Sequence, residues 1–272
     1  MLKDITFGQY YPGNSVIHRL DPRVKLILTL AYLTMLFVAD GMIPLTVGVG
    51  FVILFYALAR LPAKLIFKSM KPVVPIIVFT AALNVLFIEG EPLWTFYFLK
   101  ITKEGLLTAG LMCVRILCLI AGSSLLTYTT SPITLTDGLE RLMRPLSAVK
   151  VPVHELAMMM TIALRFIPTL IEETGKIMAA QKARGADMES GSVLQRARAL
   201  VPILIPLFVS AFRRADELAL AMECRCYRGG EGRTRMKQLS LGPEDWVAAA
   251  FVALGFAGVI LLNLYGPPIL KL

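Results

Sequence analysis

Five apolar stretches constrain the fold of this chain more than any other feature of its sequence. Each is about 16–23 residues long, close to the length that a helix needs to cross the hydrocarbon core of a bilayer. The whole chain is 56% hydrophobic, which is high for a soluble globular domain. We therefore expect an all-α, polytopic membrane protein. Its expected transmembrane helices are Val24–Ala39, Met42–Ala59, Val73–Ile88, Leu106–Tyr128 and Trp246–Tyr265.

Positive charge is distributed unevenly between the connections of these stretches. Asp40 is the only charged residue between the first and the second, and three glutamates offset Lys100 and Lys103 between the third and the fourth. Basic residues gather at the start of the first stretch and again between the second and the third: His18, Arg19, Arg23 and Lys25, then Arg60, Lys64, Lys68 and Lys71. Because lysine and arginine mark the cytoplasmic side, this alternation predicts a cytoplasmic N-terminus and, after five crossings, a C-terminus outside.

The net charge of +9 and the four cysteines do not indicate a further class of site. No aromatic-rich or RNP-type run accompanies the basic residues, so we expect no nucleic-acid partner. Cys113 and Cys118 lie in an apolar stretch, and Cys224 and Cys226 lie in a basic segment, which argues against a disulfide framework. A metal site at Cys224 and Cys226 would lack further ligands nearby.

The residues between the fourth and fifth stretches are expected to stay on the cytoplasmic side. The sequence thus predicts three regions: 1–128, with a cytoplasmic lead-in and four transmembrane helices, 129–244, a cytoplasmic domain, and 245–272, with the last transmembrane helix. The middle region begins with TTSPITLTDGLERL, in which Thr136 or Asp137 is expected to cap a short helix.

Two long amphipathic patterns fill the middle region. They run from about Pro152 to Arg184 and from about Ser192 to Arg225, with apolar residues at the helical spacing of 3.6. Pro168, Pro202 and Pro206 are expected to kink or break these helices. Partial membrane insertion of the two helices is an alternative, because their first halves are apolar.

The two long patterns end alike. The first ends AQKARGAD and the second AMECRCYR, so that Arg184 and Arg225 hold equivalent positions between small neighbours. Small neighbours would let an arginine enter a groove and pair there with a carboxylate. The simpler alternative is that both are ordinary charges near helix C-termini, where cations are mildly favoured.

These residues resemble a known family, the transmembrane T component of energy-coupling-factor (ECF) transporters, which are ABC-type importers. The resemblance covers nearly the whole chain. It is carried by PGNSVIHRLDPRVKLI, TTSPITLTDGLERLMRPL, LRFIPTLIEE, AQKARGAD and AMECRCYRGG. The paired Ala-Arg-Gly motif of that family is intact at Ala183, Arg184 and Gly185. The second copy departs from it, with Cys224, Arg225 and Cys226, which leaves open any role that needs glycine at position 226.

The resemblance implies a coupling role for both motifs. In the family, two long cytoplasmic coupling helices lie on a pair of ABC ATPase subunits, and each motif arginine enters a groove of one ATPase. The membrane part holds a separate substrate-binding S component, and the whole complex imports vitamins or metal ions across a prokaryotic cell membrane. The chain would then be a non-catalytic subunit without a cofactor of its own, and ATP would be bound by the ATPases. Consistently, the sequence has no G-x-x-x-x-G-K-[ST] loop to bind phosphates.

Three further residues are candidate contacts. Arg115 is the one charge deep within an apolar stretch, and we expect it to face the bundle interior, to pair with Glu89 or Glu104, or to contact the S component. Met159 and Met160 are expected to be adaptable packing residues, or part of a surface that accepts several S components.

A different class of function remains open as an alternative. The chain could be a stand-alone membrane permease or an intramembrane enzyme. An intramembrane enzyme would need clustered His, Asp or Glu within the apolar stretches, and the sequence shows no such cluster.

Overall fold

The computed structural model describes residues 10–88, 90, 92–96, 99–186, 192–229 and 239–265. Within these residues the chain is almost entirely α-helical, which confirms the predicted all-α fold class. It also contains a short antiparallel hairpin of two strands that was not predicted. The elements are α1 (Val16–Arg19), α2 (Pro22–Val38), α3 (Met42–Ala59), α4 (Ala63–Met70), α5 (Val74–Phe87), β1 (Pro92–Phe96), β2 (Leu99–Thr102), α6 (Lys103–Thr129), α7 (Pro132–Met143), α8 (Val153–Ala183), α9 (Val193–Cys224) and α10 (Pro243–Tyr265).

The chain divides into two compact units. The first combines residues 8–138 with 238–272, and it contains α1–α6 and α10. The second is built mainly from residues 139–237 and contains α8 and α9. The assignment of residues 129–244 to the cytoplasm stays a prediction.

Five helices of the described chain are long and apolar enough to cross a bilayer, but they are not quite the five predicted. Four agree: α3, α6, α10 and the continuous helical run Ala63–Phe87, which starts ten residues before the predicted Val73. The predicted first span corresponds to α2, which has 17 residues and is not one of these five. The fifth candidate is α8, which the sequence placed in the cytoplasmic region.

Contacts within the first unit show that α8 cannot be the single membrane crossing between α6 and α10. The starts of α2 and α10 meet where the Asp21 N–H donates to Asp245 Oδ1 at 2.8 Å, and their ends meet where the Asp40 N–H donates to Asn263 Oδ1 at 3.2 Å. The end of α6 lies at the same end as the starts, because Lys25 Nζ donates to the Thr129 carbonyl at 3.0 Å. The chain therefore leaves α6 and enters α10 at one end of this unit.

This arrangement requires an even number of crossings between Thr129 and Pro243. If α8 crossed and α9 did not, α10 would begin at the opposite end from α2, contrary to the contact between Asp21 and Asp245. The α8 and α9 helices thus either both cross or both remain on one side.

The core of the first unit lies among α2, α3, α6 and α10. Met35, Leu36, Val252 and Val259 are almost fully buried. Close approach of the helices depends on small residues, as is common in membrane bundles. A Cβ at Gly48 would lie 2.5 Å from Leu36 Cδ2, so a larger residue there would push α2 and α3 apart.

A buried polar cluster closes the end of this unit where α2 and α10 begin. Asp21 is the N-cap of α2 and accepts from the Arg23 N–H at 2.9 Å. Asp245 accepts from Asp21 and also from the Gly242 N–H at 2.8 Å. Lys25 is 6% exposed and donates to the carbonyls of His18 and Thr129. The Asp21-Pro22-Arg23 segment is therefore an ordered lead-in to α2.

The two long helices of the second unit match their predicted bounds within one residue. Pro168 lies within α8, and Pro202 and Pro206 lie within α9, and none of them breaks its helix. The predicted cap of the preceding short helix was wrong. That helix, α7, begins at Pro132, and Ser131 Oγ accepts from the Thr134 N–H at 3.3 Å.

Candidate functional site

Arg184 closes α8 in a defined turn. It is the C-cap residue after Ala183, the last helical residue. The Gly185 N–H donates to the Lys182 carbonyl at 3.0 Å, and the Ala186 N–H donates to the Gln181 carbonyl at 3.0 Å. This pair of hydrogen bonds defines the Schellman motif, which satisfies the last carbonyls of a helix.

Arg225 closes α9 in the same turn. It follows Cys224 as the C-cap residue. The Cys226 N–H donates to the Glu223 carbonyl at 2.8 Å, and the Tyr227 N–H donates to the Met222 carbonyl at 3.0 Å. The similarity seen in the sequence is therefore a similarity of backbone geometry, and both arginines leave their helix from the same position.

The residue after each arginine adopts a left-handed conformation. Gly185 has a φ of 86° and Cys226 a φ of 54°. Glycine takes this conformation without steric cost, whereas a residue with a Cβ pays about 1–2 kcal/mol. Position 226 thus has the backbone that the family's glycine would favour, and the cysteine reaches it at an energetic cost.

Both arginines are available to a partner. Arg184 and Arg225 are exposed, as are all four residues that flank them in the two motifs, Ala183, Gly185, Cys224 and Cys226. In the part of the chain that the structure describes, neither guanidinium makes a hydrogen bond or an ion pair. A guanidinium can bind a carboxylate with two parallel hydrogen bonds, so each helix end can recognise an acidic group on another protein.

An ion pair and a hydroxyl join the middle of α8 to α9. Arg214 Nη2 lies 2.9 Å from Glu173 Oε2, and the Ser210 hydroxyl donates to Glu173 Oε1. Helix periodicity cannot reveal which charged residues of two amphipathic helices meet, so this contact was missed.

A second contact joins α8 to α9 nearer to Arg184. Gln181 Nε2 donates to the Pro202 carbonyl at 3.2 Å. Glu173 precedes Gln181 on α8, whereas its partner Ser210 follows Pro202 on α9, so the two helices run in opposite directions through this interface.

The two arginines lie at opposite ends of the helix pair. Arg184 follows Glu173 on α8, and Arg225 follows Ser210 on the oppositely directed α9. At a rise of 1.5 Å per residue, these positions are on the order of 40 Å apart along the pair. In agreement, a Cβ at Gly229 would lie 4.0 Å from Glu155 Oε1, near the start of α8. One partner molecule at each end could contact one arginine.

An apolar surface of α9 is left uncovered by the described residues. Ile203 is 4% exposed, whereas a stripe along the helix is 45–69% exposed. Exposed apolar patches of this kind mark contacts with proteins or lipid. The stripe consists of Leu200, Val201, Leu204, Ile205, Phe208, Val209 and Phe212.

The two candidate methionines of α8 are also accessible. Met159 is 54% exposed and Met160 is 45% exposed. Neither packs into a core of the described residues, so they are free to take part in a contact of the second unit with a partner or with lipid.

Arg115 lies in the first unit, where its side chain contacts the C-terminal end of α2. Its guanidinium donates to the carbonyl of Ala39, the C-cap residue of α2. Glu104, one proposed partner, is three turns away on the same helix, about 16 Å along its axis, and Glu89 lies outside the described residues. The contact favours α2 electrostatically, because a cation meets the negative end of its dipole.

A family model and individual relatives indicate that the chain is similar to membrane transport proteins. The family model described as cobalt transport protein (CbiQ) matches residues 13–236. A protein of Acidaminococcus fermentans, named energy-coupling factor transporter transmembrane protein EcfT, is 55% identical over 261 residues, which is 94% of this chain and 97% of the relative.

Two further relatives carry the same name, energy-coupling factor transporter transmembrane protein EcfT. The protein of Thermosediminibacter oceani is 56% identical over 258 residues, 95% of this chain and 97% of its own. The protein of Bacillus subtilis is 48% identical over 246 residues, 90% of this chain and 93% of its own. The similarity therefore extends over both structural units.

Proposed function

The chain belongs to the CbiQ family and, within it, to the transmembrane components of energy-coupling factor transporters, and from this premise we propose that it is the coupling subunit of an ECF importer. It transmits the ATP-driven motion of two ATPase subunits to a substrate-binding S component. The imported substrates are vitamins or related micronutrients. As a multi-pass membrane protein with apolar helices in both units, the chain is the scaffold of the complex.

The repeated arginine cap is the observation that carries this proposal. Arg184 and Arg225 are exposed, hold the same position in the same turn, and lie at opposite ends of an antiparallel helix pair. Two similar partners, one at each end, fit this arrangement better than a single partner does. Each arginine enters a groove of one ATPase and pairs there with a carboxylate.

The chain itself is the non-catalytic subunit. Its contribution is mechanical, and ATP is bound and hydrolysed by the partner ATPases. The chain binds no cofactor of its own. Purified without its partners, it is expected to show neither ATP hydrolysis nor transport, and robust transport by the chain alone would instead indicate a stand-alone permease.

The S component contacts apolar surfaces of the chain. The exposed stripe of α9, together with Met159 and Met160, offers such a surface on the second unit. Apolar side chains that can change rotamer suit a partner surface that varies between S components. Arg115 is a helix-capping residue in this scheme rather than a contact of the S component.

The second unit lies in the cytoplasm. The starts of α2 and α10 and the end of α6 share one end of the first unit, and basic residues concentrate in the sequence around these segments. By the positive-inside rule this end is cytoplasmic. The N-terminus is then inside, the C-terminus outside, and α8 and α9 face the ATPases.

Exchange of both arginines tests the proposal in cells. The doubly substituted chain, Arg184→Glu with Arg225→Glu, is expected to lose the ATPases on purification and to lose vitamin uptake. Arg213→Glu makes the same charge change at an exposed position in the middle of α9 and is the matched control. Normal uptake by the double variant would refute the coupling role.

A further inference from the structure

A proline of α9 leaves one backbone carbonyl without its helical donor. In an α-helix the N–H of residue 206 would donate to the carbonyl of residue 202. Residue 206 is a proline within α9, so this N–H does not exist. The Pro202 carbonyl therefore needs another donor, or water, to satisfy it.

The side chain of Gln181 supplies that donor. Its Nε2 lies 3.2 Å from the Pro202 carbonyl oxygen. A side-chain amide carries both a donor and an acceptor, and the carbonyl partner requires that the nitrogen face α9. The contact thus depends on two residues. Gln181 on α8 supplies the donor, and Pro206 on α9 leaves the acceptor without its helical partner.

Gln181 also holds the turn that presents Arg184. Its backbone carbonyl accepts from the N–H of Arg184 at 3.1 Å and from the N–H of Ala186 at 3.0 Å. Gln181 therefore connects the two helices. Its main chain belongs to the turn of Arg184, and its side chain contacts α9 at Pro202. Arg184 itself has no other link to α9 among the contacts of the described residues.

We propose that Gln181 is a positioning residue that links the movement of Arg184 to α9 at the carbonyl left free by Pro206. This inference rests on the coupling role proposed above and extends it. A displacement of Arg184 is transmitted through Gln181 to the segment Pro202–Pro206, where the two prolines remove helical hydrogen bonds of α9. Without the link, the end of α8 can move while α9 stays in place.

A double-mutant cycle tests this link. In the assembled complex, Gln181→Met keeps the length of the side chain but removes its donor. Because one hydrogen bond contributes about 1 kcal/mol, we expect substrate uptake per ATP hydrolysed to fall by about threefold to tenfold. Co-purification of the ATPases should be unchanged, because Arg184 and Arg225 are intact.

Pro206→Ala provides the decisive background. Alanine restores the N–H that satisfies the Pro202 carbonyl within α9, so Gln181 loses its partner there. In this background we expect Gln181→Met to have no further effect on uptake per ATP. Glu172→Met, an exposed position on the same helix, is the control for adding a methionine.

Hydrogen exchange gives a second readout that does not depend on transport. The amides of the α8 C-terminal turn, Arg184 to Ala186, should exchange faster in Gln181→Met than in the unaltered chain, and equally fast in Pro206→Ala with or without the second change. Unchanged uptake per ATP in Gln181→Met, or an equal loss in both backgrounds, would overturn the proposal. Failure of the ATPases to co-purify with the unaltered chain would instead contradict the coupling role itself.

Discussion

Arg184 and Arg225 occupy the same C-cap position of the same Schellman turn, at opposite ends of two antiparallel helices. The residue that takes the left-handed conformation is Gly185 in one turn and Cys226 in the other. The geometry is therefore repeated even where the sequence motif is not, and the cysteine at the second position adopts it at an energetic cost.

Replacing Cys226 by glycine should stabilise the second turn. Glycine adopts the φ of 54° without a clash of its Cβ, so we expect a gain of about 1 kcal/mol in the free energy of unfolding of the α9 end. Hydrogen exchange at Cys226 and Tyr227 would measure it. The reverse change, Gly185→Ala, should speed exchange at the end of α8.

The same substitution tests whether the cysteines have a role of their own. Cys224→Ala combined with Cys226→Gly restores the family's Ala-Arg-Gly sequence and should preserve coupling, whereas Arg225→Ala should weaken it. Substrate uptake by cells that carry each variant measures the difference. Loss of uptake in the cysteine-free variant would give these thiols a function that the present account does not.

Asp245 should be important for the stability of the first unit. It is 5% exposed and accepts from the backbone N–H of Asp21 and of Gly242. Asp245→Ala removes the acceptor of both N–H groups, and the buried N–H of Asp21 alone would cost about 1–3 kcal/mol if left without a partner. We expect a clear fall in thermal stability in detergent. Glu244→Ala, at the exposed neighbouring position, should change it little.

His18 should make the N-terminal lead-in sensitive to mild acid. Burial lowers the pKa of His18 below its usual value of about 6.5. In the neutral ring, Nε2 donates to the Tyr11 carbonyl at 3.0 Å and Nδ1 accepts from the Ser15 hydroxyl.

The sign of this effect follows from proton binding. Because the unfolded chain binds the proton more tightly, stability is lost as the pH falls from about 6.5 through the lower pKa of the folded protein. His18→Asn should remove part of this dependence. Thermal unfolding of both proteins at pH 5 and pH 7.5 would measure it, and an identical pH dependence in the variant would contradict the assignment.

Regular, local features of this chain could be predicted from its sequence. The bounds of α8 and α9 follow from their periodicity, and Asp21 is recognisable as a helix cap because it precedes Pro22. The equivalence of Arg184 and Arg225 is visible as a repeated spacing.

Features that depend on two distant segments could not be predicted. The contacts of Glu173 with Arg214 and of Gln181 with Pro202 require the register of two helices, which a single sequence does not specify. The start of α7 was misplaced because Ser131, Thr136 and Asp137 are all good caps, and only the fold selects among them.

Binding of the purified ATPase pair to the reconstituted chain tests the central claim most directly. Because the two arginines are on the order of 40 Å apart, Arg184→Glu and Arg225→Glu should each weaken binding by about tenfold or more, and their free-energy costs should add in the double variant. Titration of the ATPases against the four proteins in nanodiscs gives these values. Equal dissociation constants for the unaltered chain and the double variant would contradict the account.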